Sequence, residues 1–397
     1  LRSSSETKRN VQLRQAKVEA AATAPLQQVD RTYVLWRKRK LVYFGGCDYF
    51  RLSSDARVKA AAQEAIEKFG LNVAASRRTT GNHQLYEQLE TELGRFFQAD
   101  SAVLVSSGYL ANIVAAQAWA GKFSAAFIDE RAHSSLVHAA LFLNCPVRRF
   151  RHRDPKSLAR VLKRSDARGP VLLLTDGMFA HDGSIAPLAP YQRVLGRKAW
   201  MLVDDAHAAG VLGKHGRGSI EFHELDRDRV IQTITLSKAF GAYGGAVIGP
   251  AAMRELCWAH SGVLTGNTPL PLPLAAAALV SLALLETDAT LRGRLEKNIA
   301  KVRSALVPME LADPTHVSPI FALPADRSGR FGKALLARGI FPTFIQYPGG
   351  PRAGYFRFAI SSEHTDDQLT RLIDAIAIGT AAGHVAIFLR RASSAER

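Results

Sequence analysis

Only three cysteines, Cys47, Cys145 and Cys257, occur in the 397 residues, far apart and without a C-x-x-C pair. That spacing argues against a zinc ribbon, any other metal site and a disulfide-stapled scaffold. It fits three buried thiols in a reducing compartment, so the expected location is the cytoplasm. Long apolar runs are equally scarce. Leu270–Leu285 is too short to span a bilayer, and Leu372–Leu389 is interrupted by Asp374, Gly379, Gly383 and His384, as in an amphipathic closing helix. Neither a membrane span nor a secretory leader is expected. Acidic residues are in deficit: 35 Asp and Glu against 52 Lys and Arg leave a net charge of +17. Nucleic acid is the usual partner of such an excess. No helix-turn-helix, RNA-binding or zinc signature accompanies it here, so no nucleic acid is expected.

What is present is ordinary globular material, 47% apolar and 22% charged, long enough for two or three domains. Residues 1–40 carry ten Lys and Arg but three Asp and Glu, and read as a loose basic arm or a frayed helix leading into a short strand at Leu41–Phe44. The periodicity predicts helices over Ser54–Phe69, with Ser54 as N-cap, and over Gln84–Phe97. From residue 101 the texture changes to short apolar runs: Ala102–Val105, Ala125–Ile128, Val171–Leu174, Ala199–Val203, Ile231–Leu236 and Gly245–Ile248. Each ends in a polar or glycine cluster. Strands buried on both faces look like this, which predicts an α/β fold with a mostly parallel sheet. The expected domains are a basic arm (1–45), a large domain (46–285) and a smaller, mixed α+β domain (286–397).

Ligands bind at the carboxyl ends of such strands, and four strand ends carry chemistry. Ser106-Ser107-Gly108-Tyr109 places a glycine at a strand-to-helix turn, where backbone N–H groups suit a phosphate. Asp204-Asp205-Ala206-His207 puts a carboxylate three residues before an imidazole; read alone, a cofactor contact and a helix-capping aspartate fit equally. A buried aspartate facing a ring nitrogen would keep that nitrogen protonated. Thr235-Leu236-Ser237-Lys238 brings a lysine directly after a buried strand, where desolvation suits Schiff-base chemistry. Asp129–His133 supplies a histidine whose ring could stack on a flat cofactor.

The order of glycine turn, histidine, aspartate–histidine and lysine resembles the fold-type I pyridoxal phosphate enzymes. With Ala75-Ser76-Arg77, Gly81-Asn82-His83, Asp182-Gly183 and Gly210-Val211-Leu212-Gly213, it resembles the α-oxoamine synthase family from about residue 41 to 375. The resemblance implies a seven-stranded, mostly parallel sheet between helices and pyridoxal 5'-phosphate as cofactor. It implies that Lys238 holds the cofactor covalently and moves protons at the substrate α-carbon. Asp204 pairs with the pyridine nitrogen, His133 stacks on the ring, and His207 hydrogen-bonds the phenolic oxygen. Ser107, Gly108, Tyr109 and Thr235 lie at the phosphate, and Thr268 reaches it from the neighbouring subunit of a homodimer. Arg357 grips the amino-acid carboxylate.

The implied reaction is a decarboxylative condensation of an amino acid with an acyl-CoA or an acyl carrier protein. An aminotransferase or a 2-amino-3-ketoacid lyase on the same scaffold is the alternative. The chain departs from the family's pattern at several places. Ala180 stands for a serine, His181 is new and expected to contact substrate, and Ala132 stands for an asparagine. Asp48-Tyr49-Phe50-Arg51-Leu52 replaces Asn-Tyr-Leu-Gly-Leu. The basic stretches Arg37–Lys40 and Arg148–Arg153 form a rim suited to an anionic acyl donor.

Overall fold

The computed structural model describes residues 25–196, 198–325, 329–346 and 353–380. They divide into two compact units. One comprises Leu52–Ala180 and Ser184–Arg292; the other comprises the described residues of Leu1–Arg51, His181–Gly183 and Gly293–Arg397. These units differ from the three consecutive segments expected from sequence. The reason is strand pairing between distant segments, to which composition is blind.

The smaller unit begins with β1 (Gln27–Gln28), β2 (Tyr33–Trp36) and β3 (Arg39–Val42), an antiparallel meander in what was read as a loose arm. Residues 1–24 of that arm lie outside the described residues. The Val42 amide donates to Gly339 O at 2.8 Å, and the Phe341 amide returns to Val42 O at 2.9 Å. Trp36 and Leu41 pack with Phe341. These bonds and contacts, 297 to 305 residues apart in the chain, explain why the first strands group with the last third of it.

The larger unit is built on seven strands in the order β4-β10-β9-β8-β7-β5-β6. They are β4 (Ser101–Val105), β5 (Ala125–Asp129), β6 (Val147–Phe150), β7 (Val171–Asp176), β8 (Trp200–Asp204), β9 (Val230–Thr235) and β10 (Gly245–Gly249). β10 alone runs against the rest; it pairs antiparallel with both β4 and β9, so those two share a direction with the parallel block. The six predicted apolar runs are all strands. β6 escaped the reading because three of its four residues are exposed and two are arginines.

Period-2 alternation sorts the buried runs onto two faces. Ala126, Ile128, Leu172, Leu174, Leu202 and Ile231 join one core with α3 (Gly108–Ala118) and α4 (Ser134–Ala140), numbered after α1 (Ala56–Phe69) and α2 (Gln84–Phe97). Ala125, Phe127, Val171, Leu173, Met201 and Val203 join the opposite core, with Leu158 of α5 (Pro155–Lys163). The N-cap of α1 is Asp55, not Ser54: its carboxylate accepts the Arg57 amide at 2.9 Å, while Leu52–Ser54 forms a short 3-10 turn. The stripe predicted for α1 is only partly covered, since Ile66 and Phe69 are 45% and 43% exposed. Of the three thiols, Cys257 alone is buried; Cys47 and Cys145 are half-buried, and all three are free.

In the smaller unit a second sheet runs β11-β13-β12, from β11 (Ile320–Pro324), β12 (Phe344–Ile345) and β13 (Tyr355–Ala359). The closing helix spans Asp366–Thr380, starting earlier than predicted, and residues 381–389 of the expected helix lie outside the described residues. No single helix among the described residues is long and apolar enough to cross a membrane.

His364 is buried beside β13. Its Nδ1 accepts the Ser361 amide at 2.9 Å and its Nε2 faces Tyr43 O at 3.1 Å. Burial first, and the Arg51 charge second, press its pKa down to about 3. Between that value and the ordinary 6.5 the unfolded chain binds the extra proton, so acid favours unfolding. Stability is therefore expected to fall as pH drops from 6.5 towards 3, with a slope of up to about 1.4 kcal/mol per pH unit from this group. Urea midpoints measured across that range should flatten in His364→Gln relative to the parent chain.

Candidate active site

The shared direction of β4, β5, β7, β8 and β9 brings their carboxyl ends to one edge. The side chains there that share a face with α3 are set by strand parity. Asp176 continues the Leu172–Leu174 face, Asp204 the Leu202 face, and Thr233 and Thr235 the Ile231 face. Asp205, one residue on, takes the opposite face. It accepts from Ser219 Oγ at 2.5 Å, the Ser219 amide at 2.8 Å and Gln232 Nε2 at 2.6 Å. The Asp204-Asp205 pair thus splits into a site carboxylate and a structural one, the latter raised to about 6 by burial.

Asp204 is buried, and its partners are neutral. Asn112 Nδ2 donates to Oδ2 at 2.6 Å, Ser135 Oγ stands 3.4 Å from the same oxygen, and the Ala206 amide donates to Oδ1 at 3.0 Å. Asn112, one turn into α3, also donates to Ser135 Oγ at 2.8 Å and accepts from Thr233 Oγ1 at 2.6 Å. Sequence reading gives Asn112 no role. The available signal was an amide four residues after a strand-to-helix glycine, in an otherwise apolar helix.

His133 caps α4. Its ring Nδ1 accepts the Ser135 amide at 3.2 Å and lies 2.7 Å from Ser135 Oγ, which puts the ring proton on Nε2. Burial lowers its pKa, Asp204 opposes this, and Lys238 adds to it, so a neutral imidazole is favoured. Its backbone amide donates to Asp176 Oδ2 at 2.9 Å. Burial, then the Asp204 charge, push the Asp176 carboxyl well above the ordinary carboxylate range. Asp204, His133, Asp176 and Lys238 are therefore within electrostatic reach of one another. Lys238 is half-buried in the turn after β9, and His207 is buried in the turn after β8.

At the glycine turn, Ser107 is the N-cap of α3 and its Oγ accepts the Leu110 amide at 3.3 Å. Gly108 sits where a Cβ would come 2.6 Å from Thr235 Cβ, and a Cβ on Gly245 would lie 2.7 Å from Gly108 Cα. Only glycine allows the helix to start this close to β9 and β10. Thr235 Oγ1 stands 2.7 Å from Ser237 Oγ. The Tyr109 hydroxyl bonds His138 Nδ1, and its ring stands edge-on to His133. Thr268 is exposed on a loop tied down by Asn267 Nδ2 to Ser106 Oγ at 2.5 Å. It lines a cavity with Arg77, Tyr86, Ser106 and Leu110, which none of Asp204, His133 or Lys238 lines.

His181 and Arg357 belong to the smaller unit. Arg357 and Tyr355 share a face of β13 by parity, and the His181 ring stands 4.3 Å from the Tyr355 ring. Arg357 Nη2 donates to Cys47 Sγ at 2.9 Å. Burial opposes its charge, but Cys47, Tyr49 and Tyr355 outweigh this and raise its pKa.

The donor set fits pyridoxal phosphate. It offers a helix N-terminus with two adjacent hydroxyls for a phosphate and a buried carboxylate for a ring nitrogen. A neutral imidazole and a lysine complete it.

Comparison with known proteins gives the same direction. The sequence profile of the aminotransferase class I and II family matches residues 39–376. The 8-amino-7-oxononanoate synthase of Nitrosococcus oceani is 33% identical over 344 residues, covering 85% of this chain and 91% of that one. Among solved structures, the S. paucimobilis serine palmitoyltransferase with PLP–myriocin bound superposes with a TM-score of 0.85 at 27% identity. It covers 97% of this chain and 99% of its own. The 8-amino-7-oxononanoate synthase of Francisella tularensis gives 0.73 at 26% identity, over 86% and 98%.

Replacing Asn112 by alanine removes the shortest donor to Asp204 and the acceptor of Thr233. Denaturant titration of Asn112→Ala is expected to show a loss of about 1–3 kcal/mol. Spectral titration should show weaker pyridoxal phosphate binding than in the parent chain.

Proposed function

The chain belongs to the class I and II aminotransferase family, among its α-oxoamine synthases, and from that premise we propose that it joins an amino acid to the acyl group of a thioester with loss of carbon dioxide. It is a pyridoxal phosphate-dependent acyltransferase. The observation that carries the reading is the buried Asp204 held by Asn112 and by Ser135, which also bonds His133 Nδ1, with Gly108 packed close against Thr235 at the α3 N-terminus.

When bound, pyridoxal phosphate supplies an electron sink for charge developing at the amino-acid α-carbon. Asp204, oriented by Asn112, Ser135 and the Ala206 amide, would face the ring nitrogen and favour its protonated form. His133, favoured neutral by burial, would contact the ring without adding a competing positive charge. The amides at the start of α3 and the Thr235 and Ser237 hydroxyls would hold the phosphate. Lys238 would hold the cofactor and move the proton at the substrate α-carbon. His207, just after β8, would hydrogen-bond the phenolic oxygen. Arg357 binds the substrate carboxylate through its planar fork, and His181 lines the same face of β13.

We read the enzyme as a cytoplasmic homodimer in which Thr268, exposed in one subunit, reaches the phosphate of the other. The donor is carried on an acidic protein in preference to free CoA. What supports this is the outer strand β6 with its arginines Arg148 and Arg149, followed by exposed Arg151, Arg153 and Lys156. The Arg151–Arg153 turn braces the loop that carries His133: Asp129 accepts His152 Nδ1 at 2.9 Å and the Arg153 amide at 3.0 Å.

Incubation with pyridoxal phosphate, an amino acid and an acyl thioester should release free thiol and carbon dioxide. Lys238→Ala should lose turnover entirely together with the cofactor's absorbance band. Conversion of a 2-oxo acid to an amino acid without any thioester would instead make the chain an aminotransferase. A panel of amino acids and donors giving no thiol would sink the reading.

Salt separates the two carriers, because exposed charges are screened within about 8 Å at physiological ionic strength. KM for a protein-carried donor is expected to climb more steeply with salt than KM for the same acyl group on CoA.

A further inference from the structure

Buried Arg77 is paired fork to fork with Glu90, at 2.6 and 3.1 Å. Arg357 has no such counterpart: among the described residues no Asp or Glu lies within ion-pair distance of it. Its Nη2 donates to a thiol, Cys47 Sγ, at 2.9 Å. The Tyr49 hydroxyl interacts with both groups.

The thiol is held in place by backbone on both sides. The Ala359 amide donates to Phe44 O at 2.6 Å and the Ser362 amide to Tyr49 O at 2.9 Å, so residues 44–49 are fastened to β13 and its continuation. Gly46, at φ +70°, makes the turn that presents Cys47. The half-buried sulfur therefore faces the guanidinium by construction of the fold.

We propose that Cys47 is a positioning residue of the carboxylate subsite: it holds the Arg357 guanidinium in place, yet accepts too weakly to compete with a carboxylate for it. The proposal rests on the reading of Arg357 as the carboxylate-binding group. A thiol is a weak acceptor, whereas a carboxylate takes two parallel N–H···O bonds from a guanidinium. An aspartate at position 47 would pair with Arg357 permanently and close the subsite. An alanine would leave the guanidinium held laterally by the Tyr49 hydroxyl alone.

The test is calorimetric titration of the holoenzyme with L-alanine, L-serine and glycine, alongside steady-state kinetics. Cys47→Ala is expected to raise the amino-acid Kd roughly tenfold, with kcat and the thioester KM nearly unchanged. Cys47→Ser, which keeps a small acceptor, should recover most of that affinity. Cys47→Asp should bind as poorly as Arg357→Gln. Methyl methanethiosulfonate should block amino-acid binding in the parent chain by forming Cys47–S–S–CH3 with release of methanesulfinate. Dithiothreitol should reverse the block, and Cys47→Ser should resist it although Cys145 remains.

An unchanged amino-acid Kd in Cys47→Ala, or an equal rise in the thioester KM, overturns the role of Cys47 while leaving Arg357 in place. Normal amino-acid binding by Arg357→Gln overturns the carboxylate subsite and this proposal with it.

Discussion

One buried carboxylate organises the larger unit. Asp204 ends β8 in an environment where an unsolvated anion costs several kcal/mol unless dipoles replace water. The replacements come from different elements: Asn112 from α3, Ser135 from α4 and the Ala206 amide from the turn that leads to His207. Asn112 is in turn fixed by Thr233 of β9. Satisfying one anion therefore sets the relative positions of two helices and two strands. The Gly108–Thr235 approach and the seating of His133 on α4 follow from the same packing.

A second carboxylate in register shows why charge is distributed as it is. Asp176 and Asp204 are opposite one another on neighbouring strands. Like charges that close in a dry site disfavour joint ionisation. Asp204 has three donors, whereas Asp176 is held at Oδ2 by the His133 amide and is the one pushed towards its neutral form. Asp176 thereby ties the histidine loop to β7. The smaller unit poses the converse situation in Arg357, a cation surrounded by a thiol and phenols and without an acidic partner among the described residues.

Most of the architecture was readable from the chain. The apolar runs marked six of the seven strands, because a strand buried on both faces has no polar face to interrupt it. The residues expected to carry chemistry followed those runs, as parallel sheets require. β6 was not readable, since an exposed edge strand such as Val147–Phe150 has no apolar signature. The N-terminal meander was read as a loose arm because its strands are only two to four residues long and pack on Phe341, far along the chain. Asp55 displaced Ser54 as the cap of α1, a one-residue difference that depends on which side chain can reach the Arg57 amide.

The sequence alone picked out Lys238, Asp204, His133 and the Gly108 turn as candidates, since each is a local feature at the end of a buried run. Their roles required the tertiary structure. Only strand parity separates Asp204 from Asp205, and only helix docking gives Asn112 its place on the carboxylate. Only the fastening of residues 44–49 to β13 brings Cys47 to Arg357, 310 positions away. The physical reason is common to all three: local pattern reports what a residue is and which face it prefers. The partner that satisfies a buried polar group is chosen by packing between segments remote in sequence.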